Sequence, residues 1–463
     1  MSVMNTHYGA EKISRMLAGR RAVYFLGIGG ITMSSLAHIT HRAGYKVGGS
    51  DRALSPLTAR LAAEGLEIFE GHDAAHLDGY DALVYTVAVR EDTPELVRAR
   101  AEGLPVISRA DYLGFLMRGY TNRVGISGMH GKSTTTSMTT EVFLAGDADP
   151  TVISGAELSS IGGAYRVGGE ENFIFESCEY MDSFLDFYPS IAVVLNIEMD
   201  HVDYFRDLDQ IKRSFRAYIE KTRGCGCAVL NADDENVMDM AADFAGSVLS
   251  FGIHKDADVM ARNIEYTGEG TSFDLCHGSM KKRVTLRVPG EHNVYNALAA
   301  AACGILCGIP SGQIVCGLGN FRGAARRMDE KGRCNGARVF EDYAHHPTEI
   351  SATLRAAKHM GFDRVFCVFQ PHTYSRTKGL FDGFAAALRL CDTAILADIY
   401  PARETDTLGM SSSLLAKAVG ENALYFDSLE KIVAYLKENA AEKDAILVMG
   451  AGDIVKLTPL LLD

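Results

Sequence analysis

The strongest constraint on the fold of this chain is a repeated succession of a short apolar strand, a glycine-containing turn and a helix. The succession begins at Ala22, starts again at Asn122 and starts a third time at Arg338. Because strands that alternate with helices pair in one direction, each stretch predicts a parallel sheet with helices on its faces. A chain of 463 residues is also too long to fold around one ordinary hydrophobic core, so we predict three α/β domains. We place these domains at residues 1–120, 121–320 and 321–463.

The charge balance narrows the partners that such a protein could have. Lys and Arg number 46 against 59 Asp and Glu, and no run of like charge is long enough for a nucleic-acid arm or a membrane anchor. No stretch approaches about 20 uninterrupted apolar residues. The first residues lack the apolar core of a secretory signal, and the ten cysteines form no regular framework. We expect a cytoplasmic protein that binds neither nucleic acid nor membrane; the sequence indicates no protein partner.

A glycine-rich turn between a strand and a helix carries the strongest local signal. The turn and the start of the helix are Gly128, Met129, His130, Gly131, Lys132, Ser133 and Thr134. Glycines let backbone N–H groups face a phosphate, a lysine here reaches the β- and γ-phosphates, and a hydroxyl can bind Mg²⁺. The spacing departs from the usual phosphate loop, because Ile126 stands where its first glycine is expected. The stretch predicts an ATP site with Mg²⁺; the alternative is a plain glycine turn before a helix.

A second glycine turn follows the first strand of the chain. It contains Gly27, Gly29 and Gly30. Asp51 follows this turn at about the sequence separation that is expected of a ribose-binding acid. The third glycine of a dinucleotide fingerprint is replaced by Thr32, so a nicotinamide-dependent dehydrogenase is an alternative that rests on a short motif. We predict that this turn binds a nucleotide diphosphate; the other alternative is a plain structural turn.

Two candidate metal ligands follow the central strands. Glu176 and His201 each lie at the polar end of an apolar strand, and the carboxyl ends of parallel strands share one edge of a sheet. A carboxylate and an imidazole beside phosphates suit a divalent metal, and Mg²⁺ prefers oxygen ligands. We predict a metal site; the alternative for His201 is a hydrogen-bonded structural histidine.

An arginine pair and a histidine pair lie near the start of the third domain. Arg326 and Arg327 are adjacent guanidinium groups that can clamp phosphate when domains close, and the alternative is a solvated linker pair. His345 and His346 are adjacent, so their side chains should point apart, and Pro347 predicts that a helix begins there.

These stretches together resemble the Mur ligases, cytoplasmic enzymes that build the peptide of bacterial cell-wall precursors. The matching stretches run in family order from end to end: GIGGITMSSLA at 27–37, GMHGKSTTT at 128–136, NIEMDHVDYF at 196–205, PGEHNVYNALAA at 289–300, RRMDEKG at 326–332, DYAHHPTEI at 342–350, FQPHTYSRT at 369–377 and GAGDI at 450–454. The resemblance implies Rossmann-like first and third domains around a central P-loop ATPase domain with a mostly parallel sheet. The resemblance is strongest to those members of the family that join L-alanine to the lactyl carboxylate of UDP-N-acetylmuramate. These members use ATP and Mg²⁺, and the reaction passes through an acyl phosphate.

The resemblance also implies roles for individual residues. The UDP-sugar would be bound by Gly27, Gly29, Gly30, Ser50 and Asp51. ATP would be bound by residues 128–134, His292, Asn296, Arg327 and Asp342, and the metal by Ser133, Glu176 and His201. L-Alanine would be bound by Tyr343, His345 and Arg376. The residues that would take part in catalysis are Lys132, His201, Arg327 and His345.

The sequence departs from the family pattern at two positions. Cys178 stands where an acid is usual, and Thr373 stands where some relatives have a second arginine. No lysine after His201 aligns with the modified lysine that several sister ligases use. A non-catalytic nucleotide switch remains the third functional class, but it would leave the first and third domains without a role.

Overall fold

The structure is a computed structural model, and it describes residues 3–202, 204–267, 270–402 and 404–462. Its strands form three sheets, one in each predicted domain. Most neighbouring strands are parallel, so the predicted α/β architecture of three domains is confirmed. Among the described helices, none combines the length and apolar composition that crossing a membrane requires.

The first domain is a five-stranded parallel sheet of order β3-β2-β1-β4-β5. This order matches the first five strands of the dinucleotide-binding fold, whose ligands lie outside the carboxyl ends of the strands. Its elements are α1 (Ala10–Leu17), β1 (Ala22–Leu26), α2 (Ile31–Arg42), β2 (Lys46–Asp51), α3 (Pro56–Ala63), β3 (Glu67–Glu70), β4 (Ala82–Tyr85), α4 (Pro94–Ala101), β5 (Val106–Ser108) and α5 (Arg109–Met117).

The central domain has a ten-stranded sheet of order β15-β14-β13-β12-β11-β10-β6-β9-β7-β8. Its middle is parallel, but β13 to β15 and β7 with β8 are antiparallel at the two edges. Its elements are β6 (Asn122–Ser127), α6 (Lys132–Ala145), β7 (Thr151–Leu158), β8 (Gly163–Arg166), β9 (Asn172–Glu176), β10 (Ile191–Val194), α7 (Leu208–Glu220), β11 (Cys227–Asn231), α8 (Glu235–Ala241), β12 (Ser247–Gly252), β13 (Val259–Thr267), β14 (Gly270–His277), β15 (Met280–Leu286), α9 (Glu291–Leu306) and α10 (Ser311–Asn320).

The third domain has a six-stranded sheet of order β16-β17-β21-β18-β19-β20, antiparallel only between its first two strands. Helix α11 begins at Pro347, as the sequence predicts. The elements are β16 (Asp329–Cys334), β17 (Ala337–Asp342), α11 (Pro347–His359), β18 (Val365–Phe369), α12 (Tyr374–Gly379), α13 (Phe381–Leu388), β19 (Thr393–Leu396), α14 (Ser412–Val419), β20 (Ala423–Tyr425), α15 (Leu429–Asn439), β21 (Ala445–Met449) and α16 (Thr458–Leu461).

The first and central domains share an apolar cluster, whereas the apolar clusters of the third domain are separate. One apolar cluster runs from β1 of the first domain, through Tyr112 on α5, into the central domain at Phe184 and Phe215. At Gly114 on α5, an added Cβ would lie 2.0 Å from the carbonyl oxygen of Asp186, so only glycine allows this approach. The apolar clusters of the third domain are built from its own residues. The third domain therefore meets the central domain mainly through polar contacts.

Candidate functional site

The glycine turn after β6 is shaped to receive an anion. Gly128 and Gly131 have φ of 138° and 85°, a backbone region that side chains rarely adopt, and α6 begins directly afterwards at Lys132. A Cβ on Gly131 would lie 2.6 Å from Oδ1 of Asn296. The amide of His130 donates to Oδ1 of Asn196 at 2.9 Å, which fixes the turn to the end of β10. The N-terminus of α6 thus presents backbone N–H groups and a positive dipole end to a phosphate.

Lys132 is held by a carboxylate that the sequence analysis did not single out. Its Nζ lies 3.0 Å from Oε2 of Glu179, which is fully buried, and Nε2 of His201 lies 3.0 Å from Oε1 of the same carboxylate. Burial alone would lower the pKa of Lys132, but Glu179 raises that pKa above its ordinary value. Burial would raise the pKa of Glu179, and Lys132 and His201 lower it. The lysine and the glutamate are therefore both charged.

The predicted metal ligands divide into two groups. Oγ of Ser133 lies 3.1 Å from Oε2 of Glu176, and Glu176 also accepts a hydrogen bond from Ser154 at 3.2 Å. Two hard oxygen donors beside the phosphate turn fit Mg²⁺, which takes few protein ligands and keeps several waters. His201, in contrast, bonds Glu179. The structure thus brings Ser133 and Glu176 together and gives His201 a different carboxylate partner.

A cavity of about 500 Å³ lies between the central and third domains beside this turn. That volume is typical of small-molecule sites. Of the residues predicted to bind ATP, the cavity is lined by His130, Gly131, Thr134, His292, Asn296, Arg327 and Asp342. The sequence analysis missed Asn231, Asp233 and Tyr295, which also line it. Burial, followed by the charge of Arg327, lowers the pKa of His292 to about 4, so that imidazole is neutral.

Arg327 and Asp342 reach this cavity from the third domain. Nη1 of Arg327 lies 3.3 Å from Oε1 of Glu349. Asp342 accepts hydrogen bonds from the amides of Met328 and Ala344 at 2.9 and 2.8 Å. Burial raises the pKa of Asp342, although Arg327 and these amides oppose that effect. The third domain therefore completes the wall of the cavity.

The residues predicted to bind the amino acid lie in the same cleft. Nδ1 of His345 lies 3.0 Å from the carbonyl oxygen of Tyr343, and burial lowers the pKa of His345 to about 4. Arg376 donates to Oδ1 of Asp200 in the central domain at 3.0 Å and lies 3.3 Å from Nδ1 of His372. The imidazole rings of His345 and His372 are 6.3 Å apart. His345 is thus a neutral hydrogen-bonding group near a cation.

A second cavity, of about 970 Å³, lies at the carboxyl ends of the first sheet. Gly27, Gly29, Gly30 and Asp51 line it as predicted, together with Ser154 and Gly155 of the central domain. The amide of Gly29 donates to Oδ2 of Asp51 at 2.8 Å. Ser50 is placed differently: its buried hydroxyl donates to Glu95 at 2.7 Å, and its carbonyl oxygen accepts from the amides of Gly27 and Ile28. Ser50 therefore shapes the glycine turn from behind.

Three acidic residues in the cleft were missed as site residues. They are Asp200, Glu198 and Glu349, which pair with Arg376, His130 and Arg327. Burial would lower the pKa of His130, but Glu349 and Glu198 raise it to about 10. Their sequence signal was present, because Glu198 and Asp200 lie within three residues of His201 and Glu349 lies four residues after His345.

Comparisons with known proteins identify the family of this chain. The Mur ligase catalytic domain, middle domain and glutamate ligase domain match residues 22–121, 126–304 and 326–452. A UDP-N-acetylmuramate–L-alanine ligase of Clostridium novyi is 44% identical over 96% of this chain and 97% of that protein. Its counterpart in Lachnospira eligens is 45% identical over 94% and 96%. The crystal structure of the UDP-N-acetylmuramate–alanine ligase MurC of Thermotoga maritima is 28% identical, with a TM-score of 0.76 over 95% of this chain and 97% of that one. With three domains in family order and relatives at this identity over nearly its full length, the chain belongs to the Mur ligase family.

Proposed function

We propose that the protein joins L-alanine to the lactyl carboxylate of UDP-N-acetylmuramate, with conversion of ATP to ADP and phosphate. One observation carries the proposal: Glu176 lies between the glycine turn before α6 and the cavity of the first domain. It bonds Ser133 at the start of α6, and it bonds Ser154 and Gly155, which line the cavity of the first domain. A carboxylate substrate in the first cavity would therefore meet the γ-phosphate at Glu176. The names of the relatives contain both UDP-N-acetylmuramate and L-alanine.

A free carboxylate is a poor acyl donor, so the reaction needs a better leaving group. The lactyl carboxylate attacks the γ-phosphate of ATP, which forms an acyl phosphate and releases ADP. The neutral amine of L-alanine attacks the acyl carbon, and the tetrahedral intermediate loses phosphate and a proton to give the amide. Since both reacting groups of the first step are anions, cations must offset their repulsion.

The chain supplies these cations from two domains. Lys132 lies at the phosphate turn of the central domain, and Arg327 lies on the wall that the third domain contributes. Ser133 and Glu176 would hold Mg²⁺, which supplies further positive charge at the phosphates. Because Arg327 reaches the cavity only from the third domain, the site is complete when the domains close, and closure excludes water from the acyl phosphate. We place this reaction in the cytoplasm, where ATP is available.

The test is an assay of phosphate release with ATP, Mg²⁺, UDP-N-acetylmuramate and single amino acids. We expect release that depends on all components and is fastest with L-alanine among alanine, serine and glycine. Release without the UDP-sugar would instead indicate a nucleotide switch with ATPase activity. Reduction of a nicotinamide cofactor without phosphate release would indicate a dehydrogenase.

Glu176→Ala is expected to raise the Mg²⁺ concentration needed for half-maximal activity by at least about tenfold, because one hard oxygen ligand is lost. Titration of activity with Mg²⁺ at saturating ATP measures the midpoint. Glu171→Ala is the matched control, since Glu171 is an exposed glutamate that immediately precedes the same strand, β9. Equal midpoints in Glu176→Ala and the control would remove Glu176 from the metal site.

His345→Ala is expected to raise the KM for alanine about tenfold or more and to leave the KM for ATP nearly unchanged, because a neutral hydrogen-bonding group beside the amino acid is lost. The preference for alanine over serine should also weaken. Steady-state kinetics with alanine, serine and glycine measures both effects. Equal damage to the ATP and alanine parameters, with selectivity preserved, would instead place His345 in the nucleotide site.

A further inference from the structure

A cluster of three metal-ligating side chains lies apart from the Ser133 and Glu176 pair. His130 and Glu198 come from the central domain, and His346 comes from the third domain. One ligand atom from each lies within 4.8 Å of the other two. His346 is 4% exposed and the side chain of His130 is 11% exposed. The cluster is therefore sheltered, and it crosses the interface between two domains.

The second nitrogen of each imidazole ring faces an acceptor. Nδ1 of His130 lies 3.4 Å from Oε1 of Glu349, and Nε2 of His346 lies 3.2 Å from the carbonyl oxygen of Met199. Histidines that bind metals almost always donate this second N–H to a carboxylate or a carbonyl group, which fixes the ring and the tautomer. Both rings thus have an acceptor at the second nitrogen, as metal-bound histidines do, and a metal would displace the Nε2 proton of His130 that Glu198 now stabilises.

The remaining nitrogens point to one carboxylate. Nε2 of His130 lies against Oε1 of Glu198, and Nδ1 of His346 lies 3.8 Å from Oε2. In the described part of the chain, Nε2 of His130 is buried and has no hydrogen bond of acceptable geometry. Nδ1 of His346 accepts from the amide of Thr348 at 3.3 Å, a bond that a metal would replace. A tetrahedral ion with bonds of about 2.1 Å needs ligand atoms about 3.4 Å apart, so small side-chain shifts suffice.

We propose that His130, Glu198 and His346 form a binding site for a zinc-like divalent cation that ties the third domain to the central domain. Two imidazole nitrogens and one carboxylate are a ligand set that suits Zn²⁺ with one open position, whereas Mg²⁺ prefers oxygen ligands. Because His130 lies in the phosphate turn and His346 precedes α11, the bound ion fixes the N-terminus of α11 against that turn. The ion thereby favours the closed arrangement of the two domains.

The test is a titration of the intact, ligand-free protein with Co²⁺, whose visible spectrum reports its ligands, followed by displacement with Zn²⁺. We expect one Co²⁺ per chain with a tetrahedral spectrum that lacks the near-ultraviolet bands of thiolate ligands. His346→Asn should weaken this binding by at least about tenfold, as should Glu198→Gln. Asn keeps a side-chain acceptor for the amide of Thr348, so the helix start is preserved. His254→Asn is the control, because His254 is an exposed histidine beside a glutamate, and this variant should bind as the parent protein does.

Zn²⁺ should also raise the melting temperature of the parent protein and of His254→Asn, but not that of His346→Asn, because a ligand that binds only the folded form stabilises it. Three outcomes would overturn the proposal: no Co²⁺ binding, a spectrum with thiolate bands, or equal affinity in His346→Asn and the parent protein. Melting curves recorded without metal show whether His346→Asn is folded. If it is not, the Glu198→Gln titration decides.

Discussion

Replacing Lys132 by alanine is expected to lower the turnover number by at least about a thousandfold, because the lysine charge would oppose the repulsion between ATP and the carboxylate substrate. Single-turnover phosphate release at saturating ATP measures the chemical step directly. Near-normal turnover in a folded variant would rule out the assignment of this turn to ATP.

The same substitution is expected to destabilise the fold, because it takes the lysine partner away from the buried carboxylate of Glu179. Breaking a buried ion pair from one side costs roughly 3–5 kcal/mol. The double variant Lys132→Ala and Glu179→Gln removes both charges, so it should recover much of the melting temperature while remaining inactive. Recovery of activity in the double variant would show that Lys132 acts only by neutralising Glu179.

Arg327→Ala is expected to lower the turnover number by about a hundredfold or more, because one preorganised cation at the transferring phosphate is lost. The neighbouring arginine provides a matched control. Arg326 donates to the carbonyl oxygen of Gly450 at 2.6 Å and lies over the ring of Tyr343 at 4.7 Å, away from the nucleotide cavity. Arg326→Ala should therefore change the KM for alanine more than the turnover number.

The comparison of these two variants also tests domain closure. Small-angle scattering with ATP and UDP-N-acetylmuramate should show compaction in the parent protein and in Arg326→Ala, and weaker compaction in Arg327→Ala. Equal turnover in both arginine variants would mean that Arg327 does not act at the phosphate.

The sequence predicted the elements whose signals are local. A glycine turn between an apolar strand and a helix is a local signal for a phosphate site, and the proline after His346 predicted the start of α11 correctly. The antiparallel strands at the edges of the central sheet were not predicted. Strand pairing depends on partners elsewhere in the sheet, and alternation of strands and helices says nothing about a hairpin added at an edge.

The sequence by itself determined the family, the three α/β domains and the positions of the glycine turn before α6 and its lysine. Only the tertiary structure decided which carboxylate faces which cation. Lys132 and Glu179 are 47 residues apart, and Arg376 and Asp200 are 176 residues apart. Left-handed backbone at Met181 and Asp182 turns the chain directly after Glu179, and no periodicity in the sequence indicates that turn. Such pairs form because the ends of parallel strands and the face of a second domain converge on one cleft, and that convergence is a property of the packed chain.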